Sequence, residues 1–189
     1  MTFDDTINEF VKKQLAGLDR SDEESNKPKH LFSPWRMEYV SRSASREGDV
    51  FLDAQNSDND RDSLILFRSK LSFVIMNLYP YNNGHLMIVP YRKVNSMIEL
   101  GQDELAEIIK LSQDSMKIIK KVLNADGFNF GVNIGKCAGA GIDDHIHFHI
   151  VPRWNGDNNF MPAIGNTKVV VQGLLDTYDS LYPLFQKIS

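Results

Sequence analysis

Three histidines on alternate residues constrain this chain more than any other feature. The segment reads Asp144-His145-Ile146-His147-Phe148-His149-Ile150-Val151-Pro152. Side chains on a β-strand alternate between two faces. A strand over 145–151 puts His145, His147 and His149 on one face and Ile146, Phe148 and Ile150 on the other. The apolar face predicts anchorage on a core, and the histidine face is left open for chemistry. Same-face neighbours lie ~6.6–6.8 Å apart. At an effective dielectric of about 20, two imidazolium ions at that spacing repel by roughly 2–2.5 kcal/mol. Such a face keeps some of its rings neutral near pH 7. Neutral imidazole is the form that attacks electrophiles and ligates metals.

A single histidine in a strand is most often structural, whereas three on one face point to chemistry. Two readings stand. His-x-His presents two metal ligands, usually completed by others such as a carboxylate. Alternatively an imidazole nitrogen attacks an electrophile such as phosphorus, while a neighbouring ring binds the anion or moves a proton. The preceding loop favours the second. Asn133-Ile134-Gly135-Lys136-Cys137-Ala138-Gly139-Ala140-Gly141 is rich in small residues, which let backbone N–H groups approach an anion closely. Its order of Gly, Lys and Ser/Thr is not that of a Walker loop. Lys136 reads as a solvated charge and Cys137 as a small filler.

The rest of the chain predicts an α+β domain. Residues 4–18 suit a short amphipathic helix, with Ile7, Phe10, Val11 and Leu15 on one side. The polar run 19–30 suits a linker, so 1–30 is read as an arm and 31–189 as the domain. A helix is expected to start at Ser33-Pro34, with the serine as cap. Residues 45–62 read as irregular. Strands are predicted at 64–67, 72–77, 85–89, 128–134 and 145–151, with a strand-like 168–171. A long helix is predicted over 103–124, with Leu105, Ile108, Ile109, Met116, Ile119, Val122 and Leu123 in helical period, and a C-terminal helix over 172–187.

Charge and cysteine content exclude several classes. Lys and Arg number 21 against 25 Asp and Glu, a net charge of -4, so the bulk electrostatics of a general nucleic-acid binder are missing. Cys137 is the sole cysteine, which rules out an intramolecular disulfide or a multi-cysteine cage and suits a reducing compartment. The opening MTFDDTINEF is acidic with no basic flank, so no signal peptide is expected. No apolar run approaches the roughly 18 residues of a spanning helix. A cytoplasmic protein with no membrane or nucleic-acid partner is expected.

Taken together, these motifs resemble the histidine triad (HIT) family. Residues 145–151 match its His-φ-His-φ-His-φ-φ signature, with φ apolar. The segments Phe73–Asn77 with Pro80, and Gly84-His85-Leu86-Met87-Ile88-Val89-Pro90, resemble the family's first strand pair. Ser33-Pro34-Trp35-Arg36-Met37-Glu38-Tyr39 and the run from Pro152 to Pro162 resemble the branch of bacterial diadenosine tetraphosphate phosphorylases and dinucleoside polyphosphate hydrolases. The resemblance covers about 31–187.

The resemblance implies a HIT-like fold: an antiparallel sheet of about five strands with helices packed on it, in a homodimer whose sheets join. It implies that His147 is the nucleophile, attacking the α-phosphate to form a nucleotidyl-histidine. His149 and His145 are expected to orient it and contact phosphate oxygens, and His85 is the additional active-site histidine. Asn77 aligns with a ribose-binding asparagine and Asn133 with a polar residue that holds phosphate. Gly139, Ala140 and Gly141 are expected to supply backbone donors, and Trp154 to shape the pocket. Phosphorolysis of diadenosine tetraphosphate to ATP and ADP is the expected reaction. Hydrolysis of dinucleoside polyphosphates or nucleoside phosphoramidates by the same histidine, a low-turnover nucleotide-binding module and a metal-dependent hydrolase are the alternatives. Many relatives bind a structural zinc through a Cys-x-x-Cys, a histidine after Pro-x-Arg and the first triad histidine. Asp49, Leu52 and Lys93 stand at the first three positions here. No structural zinc and no other protein cofactor is therefore expected, with Mg2+ entering only as the substrate complex.

Overall fold

Short runs of Val, Ile, Leu, Met and Phe between turn residues build the centre of this protein as a sheet. The structure, a computed structural model, describes residues 49–157 and 172–188. The predicted elements at 4–18, 19–30, 33–39 and 168–171, the boundary between arm and domain, and the end of the 152–162 run lie outside them. Five strands are described: β1 (Ile65–Arg68), β2 (Ser72–Met76), β3 (Leu86–Pro90), β4 (Gly127–Val132) and β5 (Phe148–Arg153). All pair antiparallel in the order β1-β2-β3-β5-β4. Every residue of β2 and β3 is buried, as continuous apolar runs covered on both faces require. Among the described residues three helices accompany the sheet: α1 (Val50–Gln55), α2 (Gln102–Leu123) and α3 (Leu174–Phe185). α2 packs on β2, β3 and β5, and α3 packs on β1 and α2.

Helix α2 confirms the predicted long helix, with one change of face. Its buried stripe is Ile108, Leu111, Ser112, Ser115 and Ile119, whereas Ile109 is 49% exposed. Ile109 lies about 100° round the axis from Ile108 and so falls off that stripe. Asn124 ends the helix in the left-handed region, φ 51°, where asparagine is tolerated best after glycine. Helix α3 is pinned to β1 by Tyr178, whose hydroxyl donates to the Ile65 carbonyl at 2.9 Å, and by Gln186, whose amide donates to that of Leu66 at 2.9 Å.

Helix α1 corrects the irregular reading of 45–62. Six residues are too few to display a hydrophobic period, and a helix so short is not stable by propensity. Both ends are held by side chains instead. Asp49 Oδ1 accepts from the Phe51 and Leu52 amides at 3.0 and 3.2 Å. At the other end the Arg68 guanidinium donates to the carbonyls of Gln55, Ala54 and Ser57 at 2.7, 3.2 and 3.2 Å. Orphan donors and orphan carbonyls are thereby both satisfied.

Two further devices fix the loops around the sheet. Arg153 grips Asp157 with Nε and Nη2 at 2.7 and 2.8 Å, and Asn82 donates to the same carboxylate at 2.9 Å and to the Pro152 carbonyl at 3.0 Å. The turn before β3 is thus tied to the chain leaving β5. The Arg153 hydrogen bond holds the Asp157 carboxyl down to about 2. Gly84 sits at φ +68° with Leu123 Cδ1 where a Cβ would stand, so both conformation and space call for glycine just before His85. Among the described residues no helix is long and apolar enough to cross a membrane.

Candidate active site

The structure gathers His85, His145, His147 and His149, yet not on an open strand face. β5 begins only at Phe148, so His145 and His147 lie on the segment that leads into it. All four histidines are buried, His145 completely. Burial on both sides corrects the expectation of an open histidine face. The cover comes from α1: the Phe51 ring lies 5.4 Å from the His145 ring and 5.0 Å from that of His147.

The backbone fixes the tautomer of His147. Its Nδ1 lies 2.9 Å from the His145 carbonyl oxygen. A carbonyl only accepts, so Nδ1 carries the proton and Nε2 keeps its lone pair. Burial lowers the ring's pKa, the His145 carbonyl bond opposes that, and His145 adds a smaller lowering effect. The neutral ring therefore persists below the ordinary histidine pKa of about 6.5. An unfolded chain protonates this ring first. Its stabilising contribution is present above about 6.5 and is lost as the pH falls toward the folded value. The acid limb of kcat/KM should accordingly lie below 6.5 in a rate profile taken from pH 4.5 to 8. A limb at or above 6.5 contradicts this assignment.

His149 receives its tautomer from the turn before β3. The Tyr79 amide donates to Asn77 Oδ1 at 2.9 Å, so the other arm of that side chain is its NH2 group. That Nδ2 lies 3.3 Å from His85 Nδ1, and the Tyr81 amide donates to the same nitrogen at 3.1 Å. His85 Nδ1 must accept. Its Nε2 then carries the proton and donates to His149 Nδ1 at 3.0 Å. His149 is left with an Nε2–H donor. Its ring meets that of His147 edge-on at 4.8 Å. Tyr81 covers the relay, 4.8 Å from the His85 ring and 5.9 Å from the His149 ring. A ring nitrogen with a free lone pair, fixed by backbone, thus stands beside a ring whose N–H is fixed through His85.

Other predicted residues are placed differently. His145 is expected to touch phosphate, but its ring is fully buried with Nε2 donating to the Pro90 carbonyl at 2.8 Å. It serves the site through its carbonyl oxygen. Asn77 orients His85. Asn133 directly follows β4 and is half-buried. The glycine-rich loop folds into a tight turn between Gly135 and Gly139, at φ 80° and 85°. There the Gly139 amide donates to the Lys136 carbonyl at 3.0 Å and the Ala140 amide to that of Gly135 at 3.4 Å. Those two donors serve the loop in this structure, while Gly141 precedes the histidine segment on its exposed side. The Trp154 indole donates to the Leu123 carbonyl at 3.0 Å, closing the end of α2.

Sequence reasoning missed Phe51 and Tyr81, the two aromatic covers. Neither belongs to a chemical motif. The Asp49 cap three residues before Leu52 was a legible signal for α1.

The HIT domain model matches residues 58–156. The AP-4-A phosphorylase of Mycobacterium tuberculosis is 38% identical over 168 residues, covering 85% of this chain and 86% of the relative. The bis(5'-adenosyl)-triphosphatase of Dictyostelium discoideum is 34% identical over 93 residues, 49% of this chain and 62% of the relative. The crystal structure of a Zn-bound histidine triad family protein from Mycobacterium smegmatis superposes with a TM-score of 0.54 at 18% identity, covering 79% of this chain and 93% of that one. With a domain model spanning more than half the sequence and a relative matched along most of its length, the chain belongs to the HIT family.

Proposed function

We propose that this enzyme cleaves dinucleoside polyphosphates, diadenosine tetraphosphate foremost, by phosphorolysis. One observation carries the reading: a buried, neutral His147 whose Nε2 lone pair is directed by the His145 carbonyl. Nε2 attacks the α-phosphorus, a P–N bond forms and the bridging P–O bond breaks. ATP leaves, with the His149 Nε2–H beside the departing oxygen. Inorganic phosphate then attacks the adenylyl-histidine, the P–N bond breaks, and ADP leaves with His147 restored. The extended likeness to the M. tuberculosis phosphorylase supports phosphate as acceptor over water.

Mg2+ is read as a counterion of the polyphosphate. The edge position of β4, with Phe130 42% exposed on it, supports a homodimer whose sheets join there. The single cysteine supports a cytoplasmic setting.

The test is a product assay on diadenosine tetraphosphate with and without inorganic phosphate. ATP and ADP, formed only when phosphate is present, are the expected products. AMP and ATP formed without phosphate establish hydrolysis on the same covalent route. No turnover in either condition overturns the substrate assignment.

A further inference from the structure

The positions at which relatives hold zinc do converge here, but on an ammonium group. Asp49 caps α1 through Oδ1 and turns Oδ2 to Lys93 Nζ at 2.8 Å. Lys93 Nζ also meets Asp144 Oδ2 at 2.6 Å. The fourth position, His145, faces the same carboxylate: its Nδ1 lies 3.5 Å from Asp49 Oδ2 and has no hydrogen-bond partner among the described residues. These residues do not fit a metal ion. Leu52 offers no donor atom. The outer oxygen of Asp49 is already engaged by a cation, and a divalent ion on His145 Nδ1 would stand against that fixed positive charge. No group of three His, Cys, Asp or Glu side chains among the described residues could hold a metal.

We propose that Lys93 is a resident cation in the place of the metal, and a positioning residue for His147. Its ammonium joins three pieces of chain: the cap of α1, the residues after β3, and Asp144 ahead of the histidines. Neighbouring bonds complete the seam. The Pro90 carbonyl accepts from His145 Nε2 at 2.8 Å, and the Val94 carbonyl accepts from the Ile146 amide at 2.7 Å. The seam fixes His145, whose carbonyl oxygen holds His147 Nδ1–H. It also fixes α1, from which Phe51 packs on both rings. The charges agree with this role. The Asp49 side chain is almost wholly buried, and although burial raises its pKa, the Lys93 hydrogen bond and the α1 amides lower it overall. Asp144 and then Asp49 raise that of Lys93 strongly. A buried carboxylate needs such a partner.

The proposal rests on His147 as the reacting ring, so two of its readouts need no turnover. The purified chain should contain no stoichiometric zinc by elemental analysis. In Lys93→Met, kcat should fall roughly 10–100-fold, as for groups that orient a reacting ligand from behind, with KM within about 3-fold. Ring 15N NMR should then show His147 losing its single Nδ1–H tautomer. Lys93→Arg should restore kcat and the NMR signature. The triple variant Asp49→Cys, Leu52→Cys, Lys93→His should bind zinc with His145 and become chelator-sensitive, because four tetrahedral ligands are then in place. Stoichiometric zinc in the natural chain overturns the proposal. So does a folded Lys93→Met with unchanged kcat and unchanged His147 tautomer, or a folded triple variant that binds no zinc. If Lys93→Met does not fold, Asp144→Ala decides: it removes one arm of the clasp at an exposed position, and unchanged kcat with unchanged tautomer overturns the proposal. Should the natural chain not turn over diadenosine tetraphosphate, metal content and tautomer still decide this question separately from the substrate.

Discussion

Replacing His147 by alanine should lower kcat on diadenosine tetraphosphate by about 10^4-fold or more, the scale seen when a covalent nucleophile is removed. Binding of the dinucleotide, measured by calorimetry, should stay within about 3-fold, because a nitrogen that bonds phosphorus only during reaction adds little to ground-state affinity. The loss is larger than for His149→Ala or His85→Ala. Those remove proton transfer and the tautomer relay, worth roughly 10^2–10^4-fold, but leave Nε2 of His147 in place. The adduct gives a second readout. A P–N bond to imidazole is labile in acid, so an adenylyl-protein should be trapped under alkaline quench in the natural chain and be missing from His147→Ala. Near-natural turnover in the folded variant would sink the covalent mechanism, and retained adduct would move the nucleophile to another residue.

The histidine cluster was legible because its signal is local. Three histidines at period 2 beside apolar partners pick out the cluster, although the strand itself begins only at Phe148, and the resemblance adds His85. The sheet was legible for the same reason. β2 and β3 are largely apolar runs bounded by turn residues, and the antiparallel pairing of β2 with β3 follows from the short connection between them. The resemblance supplied what spacing alone could not: an expected role for each ring, and the class of substrate.

The rest of the site depends on contacts between distant segments. Phe51, which packs on the His147 ring, lies 96 residues earlier in the sequence, on a helix too short to announce itself and capped by Arg68 from a strand. Alternation gave the side on which the histidines lie but not what lies over them. The resemblance implies Gly139 and Ala140 as anion donors, whereas the direction of their amides is set by the φ values of Gly135 and Gly139. Asp49, Leu52 and Lys93 were legible only as a missing metal set. That two of them form an ion pair requires the fold, which brings residue 49 to residue 93.

Phe51→Ala carries the second large effect, on stability and chemistry together. Phe51 is 1% exposed and packs on the His145 and His147 rings. Deleting a buried phenylalanine costs about 3–5 kcal/mol, through lost transfer energy and the cavity left behind. At roughly 2–4 °C per kcal/mol for a domain of this size, the midpoint should fall by about 6–20 °C. The cavity opens beside an imidazole whose pKa is lowered chiefly by burial. Water entering there favours the imidazolium, so the His147 pKa should rise toward its ordinary value. The sign is fixed by the cause: removing desolvation from a basic group raises its pKa. The acid limb of kcat/KM in Phe51→Ala should therefore move to higher pH than in the natural chain. At pH 6 the variant loses more activity than at pH 8, even at temperatures where both are folded. Phe51→Leu keeps most of the apolar cover and should show a smaller shift in the same direction. A variant that unfolds at the natural midpoint would show that Phe51 does not close the core over the histidines. One that is less stable with an unmoved acid limb would show that the burial of His147 comes from elsewhere.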